Sequence, residues 1–151
     1  MELRLYKEPY QEPFSASRLR LLFEGAVEAG NEARSRRDVY LYVWIENRQT
    51  LSGFQAVLDE EFVIDYHSPS KLEFSRISGR PVKRSLSRPL IARERKDFLD
   101  CLEALSNPVF PDLVKNVEML AHGAQLPVVN LTKGETKTLN KLAKQSPGVR
   151  K

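Results

Sequence analysis

Residues 38–66, DVYLYVWIENRQTLSGFQAVLDEEFVIDY, constrain the fold more than any other part of the chain. β-Branched and aromatic residues crowd DVYLYVWIE and FQAVLDEEFVIDY, and the polar ENRQT reads as a turn between them. Asp59 then reads as a turn into a buried Phe62-Val63-Ile64 strand. A third short run, KLEFSRI, follows the turn-forming HSPS. Three strands close together are therefore expected. Gly53 stands alone inside this region, as a strand does when it bends sharply and no side chain fits at the crowded bend. A fourth strand in RPVKRSL or RPLIAR would be an edge strand or a linker, because of its prolines and cations.

The flanks read differently. Residues 1–14 contain two prolines and no clear period, which suggests an extended arm. From residue 15, Leu19, Leu22, Phe23, Ala26, Val27 and Gly30 fall at i, i+3, i+4, i+7, i+8 and i+11, and this spacing predicts a helix. Ser15 or Ser17 would cap its start, and Gly30–Asn31 would end it. Three more helical segments are expected after the strands. ARERKDFLDCLEALS shows an apolar face, as does PDLVKNVEMLA with Pro111 in its first turn and Gly123 after its last. LTKGETKTLNKLAK opens with Thr132 and Glu135 at capping-box spacing. The expected class is α+β: an arm over 1–14, a helix and a strongly bent antiparallel sheet over 15–84, and a helical part with a basic tail over 85–151.

With 151 residues, 41% hydrophobic and 29% charged, the composition is that of a globular chain. Its longest apolar runs, such as VYLYVWI, are too short to cross a bilayer, and its first residues show no apolar signal core. A single cysteine, Cys101, excludes an internal disulfide, and a cytoplasmic location is the default expectation. The formal net charge is +4, unevenly placed. Residues 79–97 hold seven cations against two acids, and residues 133–151 hold six against one; each block carries +5, while residues 98–132 carry −3. Two such blocks favour a polyanion partner, or simply a solvated basic face.

Catalytic and metal chemistry finds no purchase. His67 and His122 have no neighbour that would make either a base, and Cys101 lies between Phe98 and Leu102 as a packed core thiol would. Zinc needs four ligands at recognisable spacing, and no glycine-rich phosphate loop is present. Asp59, Glu60 and Glu61 cannot converge on one point if adjacent strand residues alternate faces. Neither an enzyme nor a cofactor is expected.

The order of these elements resembles the Sm-like family and its bacterial RNA-chaperone branch, Hfq. That pattern has a hydrophobic strand leading to an Asn-containing turn, then Leu-x-Gly, Phe-Asp and Gln-Phe-Val-Ile. Here the matching text is VWIEN, Leu51-Ser52-Gly53, Leu58-Asp59 and Glu61-Phe62-Val63-Ile64. Arg34, Arg36 and Arg37 stand where that branch has an arginine patch, and LEFSRIS lies where the second motif falls. The match covers roughly residues 15–80. Arg48 replaces the usual turn glycine, Gln55 a usually apolar residue, and Ser75-Arg76 the Lys-His pair of the second motif.

The resemblance implies single-stranded RNA bound on a homo-oligomeric ring. Phe62 would stack on a base with Glu61 and Tyr66 beside it. Arg76 would meet a phosphate, and Arg34, Arg36 and Arg37 would form a basic rim. Two other readings remain open: a non-catalytic scaffold with a protein partner for its C-terminal helices, and a DNA-binding accessory protein using those basic helices.

Overall fold

The computed structural model describes residues 1–28, 36–69, 71–78 and 86–144. Six strands form an antiparallel meander: β3 (Arg18–Glu28), β4 (Arg36–Glu46), β5 (Thr50–Leu58), β6 (Phe62–His67), β7 (Lys71–Ser78) and β8 (Leu86–Pro89). Two short strands, β1 (Arg4–Leu5) and β2 (Tyr10–Gln11), pair with opposite halves of β3 along its free edge and complete an eight-stranded sheet. Three helices follow, α1 (Ala92–Cys101), α2 (Pro111–Ala121) and α3 (Lys133–Lys144). No helix among the described residues is long and apolar enough to cross a membrane, which says nothing of strands.

The helix expected from residue 15 is instead β3, so the helix-then-barrel order of the Sm-like arrangement is not this fold: the helices come after the sheet. The residues fit both periods. Leu19, Leu22, Phe23 and Ala26 suit a helix, but Leu19, Leu21 and Phe23 also alternate, and these three are the ones buried. Pairing decides between them. β3 forms an eleven-residue register with β4, and on its other edge it accepts β1 and β2. A helix would leave β4 as a bare edge and strand its aliphatic face.

The remaining strands lie where the β-rich runs place them, and β8 takes the outer position of the meander, at the boundary of the two proline-containing runs. Both tight turns, at residues 47–48 and 59–60, use left-handed residues without glycine. Asn47 and Arg48 have φ of 53° and 57°, and Asp59 and Glu60 have φ of 56° and 58°. Two successive positive φ values give the mirror-image turn whose twist suits a hairpin. Gly53 does sit at a bend: the β4–β5 register shifts between Trp44 and Ile45, opposite it. A Cβ there would lie 2.7 Å from the Tyr66 carbonyl oxygen, so no side chain fits.

One face of the sheet is the core face. Leu19, Leu21 and Phe23 of β3, Val39, Leu41, Val43 and Ile45 of β4, Phe54, Ala56 and Leu58 of β5, and Ile64 and Tyr66 of β6 are buried there. The three helices share this cluster through Phe98, Phe110, Leu113, Val117, Leu139 and Ala143. Phe110 meets Phe23 edge-on at 6.1 Å between ring centroids.

Two buried polar side chains tie the helical layer together. Glu135 forms the capping box with Thr132: the Thr132 N–H donates to Oε1 at 3.1 Å, and the Glu135 N–H donates to the threonine hydroxyl at 3.2 Å. Its other oxygen accepts the N–H groups of Asp112 and Leu113, at 2.9 and 3.0 Å, in the first turn of α2. One carboxylate thus satisfies the positive ends of two helices. Asn107 accepts from the Val109 and Phe110 N–H groups and donates to the Leu3 carbonyl at 2.7 Å, joining the start of α2 to the N-terminal segment.

Two stability predictions follow from these placements. Glu135→Ala leaves three backbone donors without their acceptor and is expected to cost about 3 kcal/mol. Gly53→Ala forces a methyl group onto a backbone carbonyl and should cost about 1–3 kcal/mol. Urea unfolding of the two variants against the parent protein measures both, and unchanged midpoints would contradict these contacts.

Candidate nucleic-acid interface

Phe62, Arg76 and Glu61 do come together, but under a helix. Phe62 and Arg76 are register partners on β6 and β7, and the guanidinium lies 5.5 Å from the centre of the Phe62 ring. That ring packs against Phe98 of α1, with centroids 6.5 Å apart. Arg76 is ion-paired to Glu61 and lies 3.7 Å from Glu94. Glu94 also receives both terminal nitrogens of Arg88, at 2.9 and 2.8 Å, and the Ile91 N–H at 3.2 Å. These contacts lower the Glu94 carboxyl to about 2, chiefly through the Arg88 hydrogen bond.

The arginine trio divides in the same manner. Arg37 donates to Asp97 at 2.7 Å, which holds its guanidinium above its ordinary value, and it also pairs with Asp59 at 3.2 Å. The Cys101 sulfur is 3.5 Å from the same guanidinium, yet burial raises its thiol. Arg36 is exposed beside Asp38 at 3.3 Å. Arg34 lies outside the described residues. Tyr66 is buried, stacked on Phe54 at 5.3 Å, with its hydroxyl donating to the Pro69 carbonyl. In this geometry Arg37, Arg76 and Arg88 clamp α1 to the sheet, and their charges are spoken for.

The opposite face of the sheet carries different chemistry. In β4, Val39, Leu41, Val43 and Ile45 point to the helices, so Tyr40, Tyr42 and Trp44 point away from them. Arg20, Leu22 and Glu24 of β3 share that face by register, as do Tyr10 and Arg4 of the N-terminal strands. Tyr6 joins them beside Leu22, to which its N–H is bonded. Four of the five tyrosines and the only tryptophan therefore lie on the side away from the helical core. Tyr6 and Tyr10 are 49% and 43% exposed, and Tyr40, Tyr42 and Trp44 are half-buried among their neighbours.

Charge splits this aromatic face into two ends. At one end the Arg20 guanidinium lies 4.7 Å from the Tyr10 ring and 5.6 Å from the Tyr42 ring. Tyr42 in turn stacks on Trp44, with centroids 6.3 Å apart and planes 24° from parallel. Glu46, the acid nearest in sequence, is bound to Ser17 and Arg18, and the serine hydroxyl is the main cause of its lowered carboxyl pKa. At the other end a hollow of about 450 Å³ is lined by Tyr6, Leu22, Tyr40, Tyr42, Val57 and Glu60. Burial, then Asp38, Glu24 and Glu60, push the Tyr40 hydroxyl up. The acids at that end are accompanied by cations: Arg4 is the register partner of Glu24, Arg36 pairs with Asp38, and Lys7 lies over the Tyr6 ring.

The sequence signal for this face was the strict aliphatic–aromatic alternation of Val39 through Ile45, which says that a strand has two apolar sides of different kinds. Among the described residues no group of three or more His, Cys, Asp or Glu is placed to hold a metal ion. No family model, no curated protein and no solved structure matches this chain.

The Glu94 clamp gives a pH prediction. Its folded carboxyl is depressed from 4.5 to about 2, so its stabilising contribution is complete above about pH 4.5 and lost as pH falls toward 2. Glu94→Gln is expected to lower the urea midpoint at neutral pH and to flatten the fall of stability between those limits. A variant that retains the parent's acid limb would show that another carboxylate controls it.

Proposed function

We propose that the protein binds single-stranded nucleic acid, with bases stacked on Tyr42, Trp44 and Tyr10 at the Arg20 end of the sheet. The observation that carries this reading is the run of stacked planar groups, Tyr10–Arg20–Tyr42–Trp44, on the side of the sheet away from the helices. Flat aromatic rings on a sheet suit unpaired bases because every base has a π face, and a guanidinium adds both stacking and charge. A duplex hides those faces. Tyr42 and Trp44 lie two residues apart on one side of a strand with their rings stacked on each other, so a base would extend this stack rather than enter between the two rings.

The Arg20 guanidinium among the rings supplies direction, drawing the strand across β3 and β4 at the end near the 47–48 turn. The overall charge of +4 and pI near 9.3 support a polyanion ligand, and they contribute a salt-sensitive, sequence-blind component. This reading leaves Phe62 and Arg76 to the clamp on α1.

Trp44 is the only tryptophan and reports on its own site. Titration with single-stranded RNA is expected to quench its fluorescence at moderate salt, and duplex of equal length should bind more weakly. Single-stranded DNA in the same titration separates ribose recognition from stacking alone. Tyr42→Ala should weaken binding roughly tenfold, the loss expected for one stacked base, whereas Tyr40→Ala should change it by less than about threefold. Equal affinity for duplex, or no Trp44 response with every ligand, would sink the proposal.

A further inference from the structure

Beyond the aromatic face, an open cleft of about 640 Å³ lies between the β4–β5 turn and α3. Asn47, Arg48 and Gln49 line it from the turn, Lys133, Thr136, Lys137 and Asn140 from one side of the helix, and Leu131 from the segment before it. The lining holds three cations, three amides and a hydroxyl, and no carboxylate. Arg48 donates to the Asn140 side-chain oxygen at 3.2 Å, which aims its guanidinium across the cleft. Among the described residues none of Arg48, Lys133 or Lys137 lies within ion-pair distance of an acid.

This cluster is electrostatically unfavourable as it stands. Lys133 and Lys137 are like charges at i and i+4, in the half of α3 whose dipole favours anions. The acid in the first turn, Glu135, does not relieve them. It is buried on the other side, bonded to Thr132, Asp112 and Leu113. The contrast with Arg37, Arg76 and Arg88 is direct, since each of those cations has its carboxylate. An oxyanion in the cleft would reverse the repulsion, accept from the lysine and arginine nitrogens, and take further donors from Asn47, Gln49 or Thr136.

We propose that this cleft is a phosphate-binding site. Its ligand is a phosphate group, which the three cations and the amide and hydroxyl donors of the lining match. Two sources share that chemistry: a free phosphorylated small molecule, and a phosphate of a nucleic-acid strand. The inference stands whether or not the aromatic face binds bases, because the cleft is built from other residues.

The test uses the full chain and the double variant Lys133→Ala with Lys137→Ala. Both lysines are exposed and alanine favours a helix, so the variant is expected to fold as the parent does, checked by its circular dichroism and urea midpoint. Inorganic pyrophosphate is titrated by calorimetry, and a single-stranded oligonucleotide by fluorescence anisotropy, each at two salt concentrations. Pyrophosphate binding that weakens at least tenfold in the variant supports the site and assigns it to free phosphorylated ligands. Oligonucleotide binding that weakens at least tenfold, with a shallower salt dependence and no pyrophosphate binding, supports the site and assigns it to strand phosphates. Affinities unchanged by the double variant overturn the inference, as does a parent protein that binds neither probe. If the lysine variant loses the oligonucleotide while Tyr42→Ala does not, the cleft stands and the stacking reading fails.

Discussion

The two-residue repeat of an extended chain governs this molecule through β4, the strand with the most register pairs among the described residues. Eleven residues of β4 are held in register by β3 on one edge, and eight by β5 on the other. Neither neighbour can slip by one residue without exchanging its buried and exposed sets. Val39, Leu41, Val43 and Ile45 are thereby committed to the helices, and Tyr40, Tyr42 and Trp44 to the other side. The position of α1, α2 and α3, the site of the core and the location of the aromatic face all depend on that choice.

A sheet with one aliphatic face needs a cover, and the cover here is attached by polar contacts at its margins. Apolar packing supplies the driving force, but it is non-directional. Direction comes from Glu135, which fixes the starts of α2 and α3 relative to one another, and from Asn107, which fixes α2 relative to the N-terminal segment. The ion pairs of Arg37, Arg76 and Arg88 set α1. These pairs are partly exposed and each contributes modestly. Together they specify where the helix sits, which is why the same arginines make poor ligands for anything else.

The cations differ in what they face. Arg37, Arg76 and Arg88 are matched to carboxylates on the helical side, around α1, and Arg18 and Arg36 are matched to Glu46 and Asp38 at the margins of the aromatic face. Among the described residues, Arg20 among the tyrosines and Arg48, Lys133 and Lys137 around the cleft have no acid within ion-pair distance. The proposed stacking surface and the proposed phosphate site lie toward the same end of β4, with Trp44 and Arg48 four residues apart in sequence.

Much of the secondary structure was legible in the residues. The runs that became β4 to β7, the bend at Gly53, the proline start of α2 and the capping box of α3 all express local preferences that the fold leaves intact. The first strand of the meander was not legible, because Leu19, Leu22 and Phe23 satisfy a helical stripe while Leu19, Leu21 and Phe23 satisfy a strand. Only pairing with β4, β1 and β2 separates the two. Phe62 and Arg76 have the right chemistry for a base and a phosphate, and nothing local reveals that Phe98 and Glu94 reach them from α1. The sequence by itself determined the alternation of β4, the turns that flank its partners and the helical periods of the C-terminal part, since each depends on neighbours within a few residues. The tertiary structure alone decided which side of the sheet is covered, which arginines are neutralised and which cations converge on a cleft. Those outcomes rest on contacts between residues tens of positions apart, and no local period encodes them.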